Sequence, residues 1–296
     1  SLIVLPVLNL KRDILKKSEL NLFKIYWKKT FKNKNYSYLK NPLNFLRKKC
    51  ANKNHFLFKI SNKLETQIIK SILQSMSKNK VIIIGGTGFV GFHLAKFLLK
   101  KNFEVVSLSR KGPKKIRFLK KVKYIKTDII YKKKLLKCLH KHLNSNFVIN
   151  CGGEVEHRKI KKTILSHHKG AINIANIFLN KNLKKFIQIG SSLEYGSLKS
   201  PQKEFFNCKP ESNYSKAKYL ATKNLFSLYR KHNLPLVVIR PYQLYGPAQD
   251  TNRFIPFIIK ACLQDKNFPC SDGKQYRDFL FIDDFVNFIF KIIEKD

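Results

Sequence analysis

The chain has 296 residues, with 60 Lys and Arg against 18 Asp and Glu, a formal net charge of +42 and 44% hydrophobic residues. That length and apolar fraction suffice for a buried core, which excludes a wholly disordered or fibrous chain. The longest apolar runs, such as Val81–Ile84 and Phe147–Ile149, are far too short to cross a bilayer, and the opening residues lack the basic segment and small-residue cleavage site of a signal peptide.

The charge is spread rather than gathered. Nine of the basic residues are Arg and 51 are Lys, scattered over nearly every segment. A dedicated nucleic-acid surface concentrates Arg forks in one stripe, so the pattern reads as a compositional bias toward Lys, with no specific nucleic-acid partner. Six cysteines, at positions 50, 138, 151, 208, 262 and 270, form no Cys-x-x-Cys motif. Free thiols in a reducing, cytoplasmic compartment are expected.

Residues 1–75 contain no glycine and carry 17 basic against three acidic residues. Within them, Asn21–Phe31 and Leu43–Arg47 mix Lys with aromatic residues at loosely helical spacing, which predicts a solvated basic helix in an extension of unknown role. The composition changes at Met76, and residues 76–296 read as an α/β domain. Short apolar runs at Val81–Ile84, Glu104–Leu108, Lys123–Ile125, Phe147–Cys151, Phe186–Ile189 and Leu236–Ile239 predict strands. Helical spacing at Phe89–Lys101, Leu135–His142, Ile164–Asn180 and Asn213–His232 fills the gaps between them. Such alternation predicts parallel strands covered on both faces, a doubly wound sheet.

The first strand runs into Gly85-Gly86-Thr87-Gly88-Phe89-Val90-Gly91, a Gly-x-x-Gly-x-x-Gly turn that opens a helix. In that context Gly85 permits the tight turn, Gly88 lets the backbone approach a pyrophosphate and Gly91 lets the helix pack on the strand. The second strand ends Ser109-Arg110 without a carboxylate. An acid there binds a ribose 2′-hydroxyl and a base accommodates a 2′-phosphate, so NADP is favoured and NAD is the alternative. Farther on, Tyr214 and Lys218 stand one helical turn apart, an arrangement that lets an ammonium favour the phenolate for proton transfer. Gly190-Ser191-Ser192-Leu193-Glu194-Tyr195-Gly196 follows the fifth strand and can bring a hydroxyl to the same substrate oxygen.

Taken in order over about residues 80–290, these motifs resemble the extended short-chain dehydrogenase/reductase family of NAD(P)-dependent nucleotide-sugar epimerases, dehydratases and reductases. Asn150-Cys-Gly-Gly153, Arg240-Pro-Tyr-Gln-Leu-Tyr-Gly-Pro247 and Arg277-Asp-Phe-Leu-Phe-Ile-Asp-Asp284 extend the match. The resemblance implies a Rossmann-type sheet with a small C-terminal substrate-binding portion. It assigns Tyr214 as general acid/base, Lys218 to the nicotinamide ribose and Ser191 to the reacting oxygen. It also places Asp128 and Ile129 near the adenine, Gly152 and Gly153 beside the cofactor, and Ser192, Asn252, Arg253 and Arg277 on the substrate side, with Arg277 clamping a diphosphate. Dimerisation through two helices per subunit is common in that family.

Two departures qualify the resemblance. Members that catalyse 4,6-dehydration carry an Asp-Glu pair directly after the catalytic hydroxyl residue, where this chain has Ser192 and Leu193; Glu194 comes one place later and should aim elsewhere. A 4-keto reductase or an epimerase is therefore expected over a dehydratase. His167 stands where the family usually has a cofactor-contacting Asn. The pairs His140/His142 and His167/His168 read as surface or helix-end residues, Cys151 as a small buried residue, and no metal site is expected. Family members usually continue for several tens of residues past the helix that follows Asp284, so a fragment or a short member is expected. The rival reading is a non-catalytic dinucleotide-binding sensor or scaffold tethered by residues 1–75.

Overall fold

The computed structural model describes residues 79–154 and 159–295; the basic segment 1–75, with the helix expected there, lies outside the described residues. Six strands, β1 (Lys80–Ile84), β2 (Glu104–Ser109), β3 (Lys123–Lys126), β4 (Phe147–Asn150), β5 (Lys185–Ile189) and β6 (Leu236–Ile239), form one sheet in the order β3-β2-β1-β4-β5-β6. Every pairing is parallel. The order reverses between β1 and β4, which opens a crevice beyond the carboxyl ends of those strands.

The β-branched residues of β1 explain why the sheet is buried on both faces. Successive side chains point to opposite sides, so Ile82 and Ile84 enter one core and Val81 and Ile83 the other. The first core is closed by α2 (Lys132–Leu139), α4 (Gly170–Phe178) and α5 (Asn213–His232), through Leu135, Ile174, Phe178 and Leu225. On the second, α1 (Phe89–Lys100) contributes Leu94 and Leu98, and α7 (Ile282–Glu294) contributes Phe285 and Ile289. This is the Rossmann-type α/β fold expected from the strand–helix alternation.

Most element boundaries fall within a residue or two of those expected. The long helix predicted over 164–180 is instead three pieces: α3 (Ile160–Ile164), a π-helical turn (Leu165–Lys169) and α4. A π turn carries an extra residue, and here it swings His167 into the interior. The histidine pairs, expected at the surface or at helix ends, divide: His142 ends a 3-10 turn yet is buried, and His167 is buried within the helical run, against that expectation. Beyond β6 lie a two-stranded parallel ladder of β7 (Gln243–Tyr245) and β8 (Phe279–Phe281), and α6 (Phe254–Leu263) between them. No described helix is long and apolar enough to cross a membrane.

Candidate functional site

The turn after β1 is shaped by what a side chain would hit. Gly85 sits at φ +73°, and its amide donates to Leu108 O at 2.7 Å. A Cβ on Gly91 would fall 2.4 Å from Gly85 O, so only glycine lets α1 start this close to the strand. Gly86, to which the sequence reading gave no role, is pressed against Ser107, where a Cβ would meet Oγ at 2.4 Å. Above Gly88 the space is open apart from Gly85 O. Gly88 caps α1 without a side-chain hydrogen bond, and the first turn holds no acidic residue. The amides of Phe89, Val90 and Gly91, at the positive end of the helix dipole, are thus available to an anion. This cradle fits the pyrophosphate of a dinucleotide.

The end of β2 adjoins it: Thr87 N donates to Ser109 Oγ at 3.3 Å. Arg110 follows, and its guanidinium is engaged, with Nη1 3.0 Å from Glu154 Oε2. Lys162 Nζ stands 3.5 Å from the same oxygen. The carboxylate that the sequence lacks at the end of β2 therefore arrives from the end of β4, 44 residues away. Asp128, beyond β3, accepts the Ile130 amide at 3.0 Å, and Asn173 on α4 donates to the carbonyls of Ile129 and Ile130, which holds this corner in place.

Gly152 and Gly153 have neighbours of their own. A Cβ on Gly152 would crowd Ile84 Cγ2 at 2.7 Å, and one on Gly153 would strike the His167 ring at 1.8 Å. His167 fills that space, binds Glu154 O through Nε2 at 3.0 Å and meets the Tyr214 ring edge-on.

Tyr214 and Lys218 lie in the first two turns of α5, which Ser212 caps by accepting Ser215 N at 3.1 Å. Lys218 Nζ is 5.8 Å from the centre of the Tyr214 ring and donates to Ile189 O, the last residue of β5, at 2.7 Å. Ser191 is two residues on, so tyrosine, lysine and serine are gathered at the carboxyl end of β5. Ser191 starts a 3-10 turn (Ser192–Glu194) as half of a capping box: its Oγ accepts Leu193 N, and its amide donates to Glu194 Oε1 at 2.9 Å. Glu194 has no exposed surface, and its other oxygen takes Thr222 Oγ1 at 2.9 Å and Arg240 Nε at 3.0 Å. It faces inward, away from the position that a dehydratase's acid would take, while Leu193 is exposed. Burial pushes the Cys151 thiol up to about 12 against the pull of the Lys218 ammonium, so this cysteine is no nucleophile at neutral pH.

Asn252, Arg253 and Arg277 are exposed, and among the described residues no hydrogen bond or ion pair ties them to Ser191 or Tyr214. The loop that leads to Asn252 and Arg253 is braced from below: the buried Arg117 donates twice to Ala248 O, at 3.0 and 2.7 Å, and His93 binds Pro247 O at 2.8 Å.

The model of the NAD dependent epimerase/dehydratase family matches residues 81–296. The chain belongs to that family. CDP-abequose synthase of Salmonella typhimurium is 30% identical over 227 residues, 74% of this chain and 71% of that protein. A dTDP-D-glucose 4,6-dehydratase of Dictyostelium discoideum is 27% identical over 73% of this chain and 56% of its own length. Among solved structures, UDP-glucuronic acid 4-epimerase from Bacillus cereus, in complex with UDP-glucuronic acid and NAD, superposes with a TM-score of 0.65 at 24% identity, covering 73% of this chain and 74% of its own. UDP-glucose 4-epimerase from Thermotoga maritima gives 0.68 at 21%, with 73% and 74% covered. These two likenesses concern the fold. The glycine turn of residues 85–91 and the helix that carries Tyr214 and Lys218 both lie within the residues matched to the epimerase/dehydratase family.

Proposed function

We propose that the protein is a nicotinamide-dependent enzyme that acts on a nucleotide-linked sugar by hydride transfer at a sugar carbon, by 4-keto reduction or epimerisation rather than 4,6-dehydration. The observation that carries this reading is that Lys218 Nζ reaches Ile189 O at the end of β5, two residues before Ser191, and lies 5.8 Å from the centre of the Tyr214 ring, in a sheet whose first strand ends in the phosphate turn. A bound nicotinamide supplies the hydride donor or acceptor. Gly85, Thr87, Gly88, Phe89, Val90 and Gly91 would hold the pyrophosphate, with Ser109, Arg110, Asp128 and Ile129 toward the adenosine.

The chain's own groups handle the proton. The Tyr214 hydroxyl gives it to, or takes it from, the sugar oxygen, and Ser191 Oγ hydrogen-bonds that oxygen and orients it. The Lys218 ammonium spends one donor on Ile189 O and keeps two for the ribose and the phenol. Dehydration needs a second acid and base beside the hydroxyl residue. Leu193 offers neither, and Glu194 is committed to three internal donors, its two oxygens shared among Ser191 N, Thr222 and Arg240. Ser192 stands next to the site as a substrate contact, and Arg277, Asn252 and Arg253 are the candidates for the nucleotide diphosphate, with Arg277 suited by its fork. The adjacent helices α3 and α5 expose Ile160, Ile164, Phe226 and Tyr229, a surface suited to a homodimer.

The test incubates the protein with NADH or NADPH and a panel of 4-keto and ordinary nucleotide sugars while absorbance of the reduced cofactor is followed. Net consumption identifies a reductase, and interconversion of sugars without consumption an epimerase. Dinucleotide binding without turnover of any sugar would favour the scaffold reading instead.

A further inference from the structure

Resting on the dinucleotide-binding reading above, we infer that Glu154 sets the choice between NAD and NADP by holding Arg110 away from the 2′ position of the adenosine ribose. Where a dinucleotide lies on a turn such as residues 85–91, the ribose 2′ group meets the end of the second strand. Here that end is Ser109-Arg110, joined to the phosphate turn by the hydrogen bond from Thr87 N to Ser109 Oγ. A free guanidinium at this point would be a ready partner for a 2′-phosphate. Arg110 is not free: its Nη1 lies 3.0 Å from Glu154 Oε2.

Glu154 is no mobile surface carboxylate. Its side chain is 9% exposed. Its amide donates to Ser166 Oγ at 2.9 Å, and its carbonyl is bound by His167 Nε2 at 3.0 Å. Both partners lie on the π turn, so the backbone that carries the carboxylate is anchored on two sides. Lys162 Nζ, at 3.5 Å, helps balance its charge and is half exposed.

The consequences for the two dinucleotides differ in sign. A 2′-phosphate brings up to two negative charges, meets the fixed carboxylate and must take Arg110 from it. A 2′-hydroxyl needs only an acceptor, which an anchored carboxylate provides without breaking the pair. The element therefore favours the unphosphorylated ribose, using an acid from the loop after β4 in place of the one missing from β2. The basic end of β2, read by itself, points the other way.

The experiment titrates NADH and NADPH by fluorescence, and NAD and NADP by calorimetry, into the full chain, into Glu154→Gln and into Arg110→Gln. Expected is wild-type binding of NAD at least as tight as that of NADP, with Glu154→Gln moving the ratio of dissociation constants at least tenfold toward NADP. Arg110→Gln, which removes the guanidinium while the carboxylate stays, should move the ratio at least tenfold toward NAD and keeps the inference testable if the glutamate variant misfolds. Ratios unchanged in both variants while both dinucleotides bind would overturn the inference and leave the functional reading standing. Binding of neither dinucleotide to the wild-type protein would overturn both.

Discussion

The imidazole of His167 stands edge-on to the ring of Tyr214, with centroids 5.0 Å apart and planes at 87°. The histidine is buried on the π turn and tied by Nε2 to Glu154 O, so it works as a fixed stop behind the tyrosine. An edge-to-face pair is worth about 0.5–1.5 kcal/mol, enough to hold a phenol in one rotamer. His167→Ala should lower kcat by about tenfold with dinucleotide affinity little changed. Steady-state rates alongside a binding titration check this; an equal loss in both would assign His167 to cofactor binding instead.

Replacing Tyr214 itself should separate chemistry from binding. Tyr214→Phe keeps the ring against His167 and removes the phenolic hydroxyl that the proposed mechanism uses for proton transfer. Hydride transfer is expected to fall by about 10²–10⁴-fold while dinucleotide binding stays as it was. Stopped-flow absorbance with excess cofactor reads the first quantity and calorimetry the second. Full turnover in the variant would remove the tyrosine from the proposed mechanism.

Glu194 illustrates a carboxylate whose work is structural. It accepts from Ser191 N, Thr222 Oγ1 and Arg240 Nε with no exposed surface. Glu194→Ala leaves the Arg240 guanidinium, itself largely buried, without its counter-charge, at a cost of about 3–5 kcal/mol. For a domain of this size the midpoint of thermal unfolding should drop by roughly 6–20 °C. Differential scanning calorimetry measures it, and a change under 2 °C would mean that the buried pair contributes little.

Three buried or half-buried imidazoles make stability depend on pH in a definite direction. Burial lowers the pKa of His93, His142 and His168 from the usual 6.5, assisted at His142 by Lys80 and Lys123 and opposed at His93 by Pro247 O and Asp283. Folded histidines with lowered pKa bind fewer protons than unfolded ones. Stability is therefore full above pH 6.5 and falls as pH drops through that value toward the folded pKa. The urea midpoint should be higher at pH 7.5 than at pH 5.5. His142, whose Nδ1 has no hydrogen-bond partner among the described residues, is the clearest single contributor. His142→Phe should flatten the profile, and an unaltered slope would count against its share.

If the α3 and α5 surface closes a dimer, a charge there should open it. Phe226→Arg is expected to convert the dimer to monomer in sedimentation velocity at micromolar concentration, since Phe226 is an exposed apolar side chain on the isolated subunit. A monomeric wild-type protein would withdraw the dimer.

Much of the fold was legible because its signals are local. The β-branched run at Val81–Ile84, the glycines that follow and the helical spacing of Asn213–His232 each depend on residues within one or two turns of each other, and all three appear where expected. The turning of Glu194 away from the hydroxyl residue was legible too, from a one-residue offset, but its inward direction was not. The break of the 160–178 helix was not legible, since a π turn leaves no mark in hydrophobic spacing, and with it went the burial of His167.

What the amino-acid order determined by itself was the sheet, the phosphate turn and the identity of the chemical groups, because strand periodicity, backbone sterics and helix spacing act over short stretches of chain. Only the tertiary structure decided what those groups do to one another. The pairing of Arg110 with Glu154 and the edge-on contact of His167 with Tyr214 join residues more than forty positions apart. Electrostatic and packing forces depend on distance in space, and the winding of β4 beside β1 is what makes those distances short.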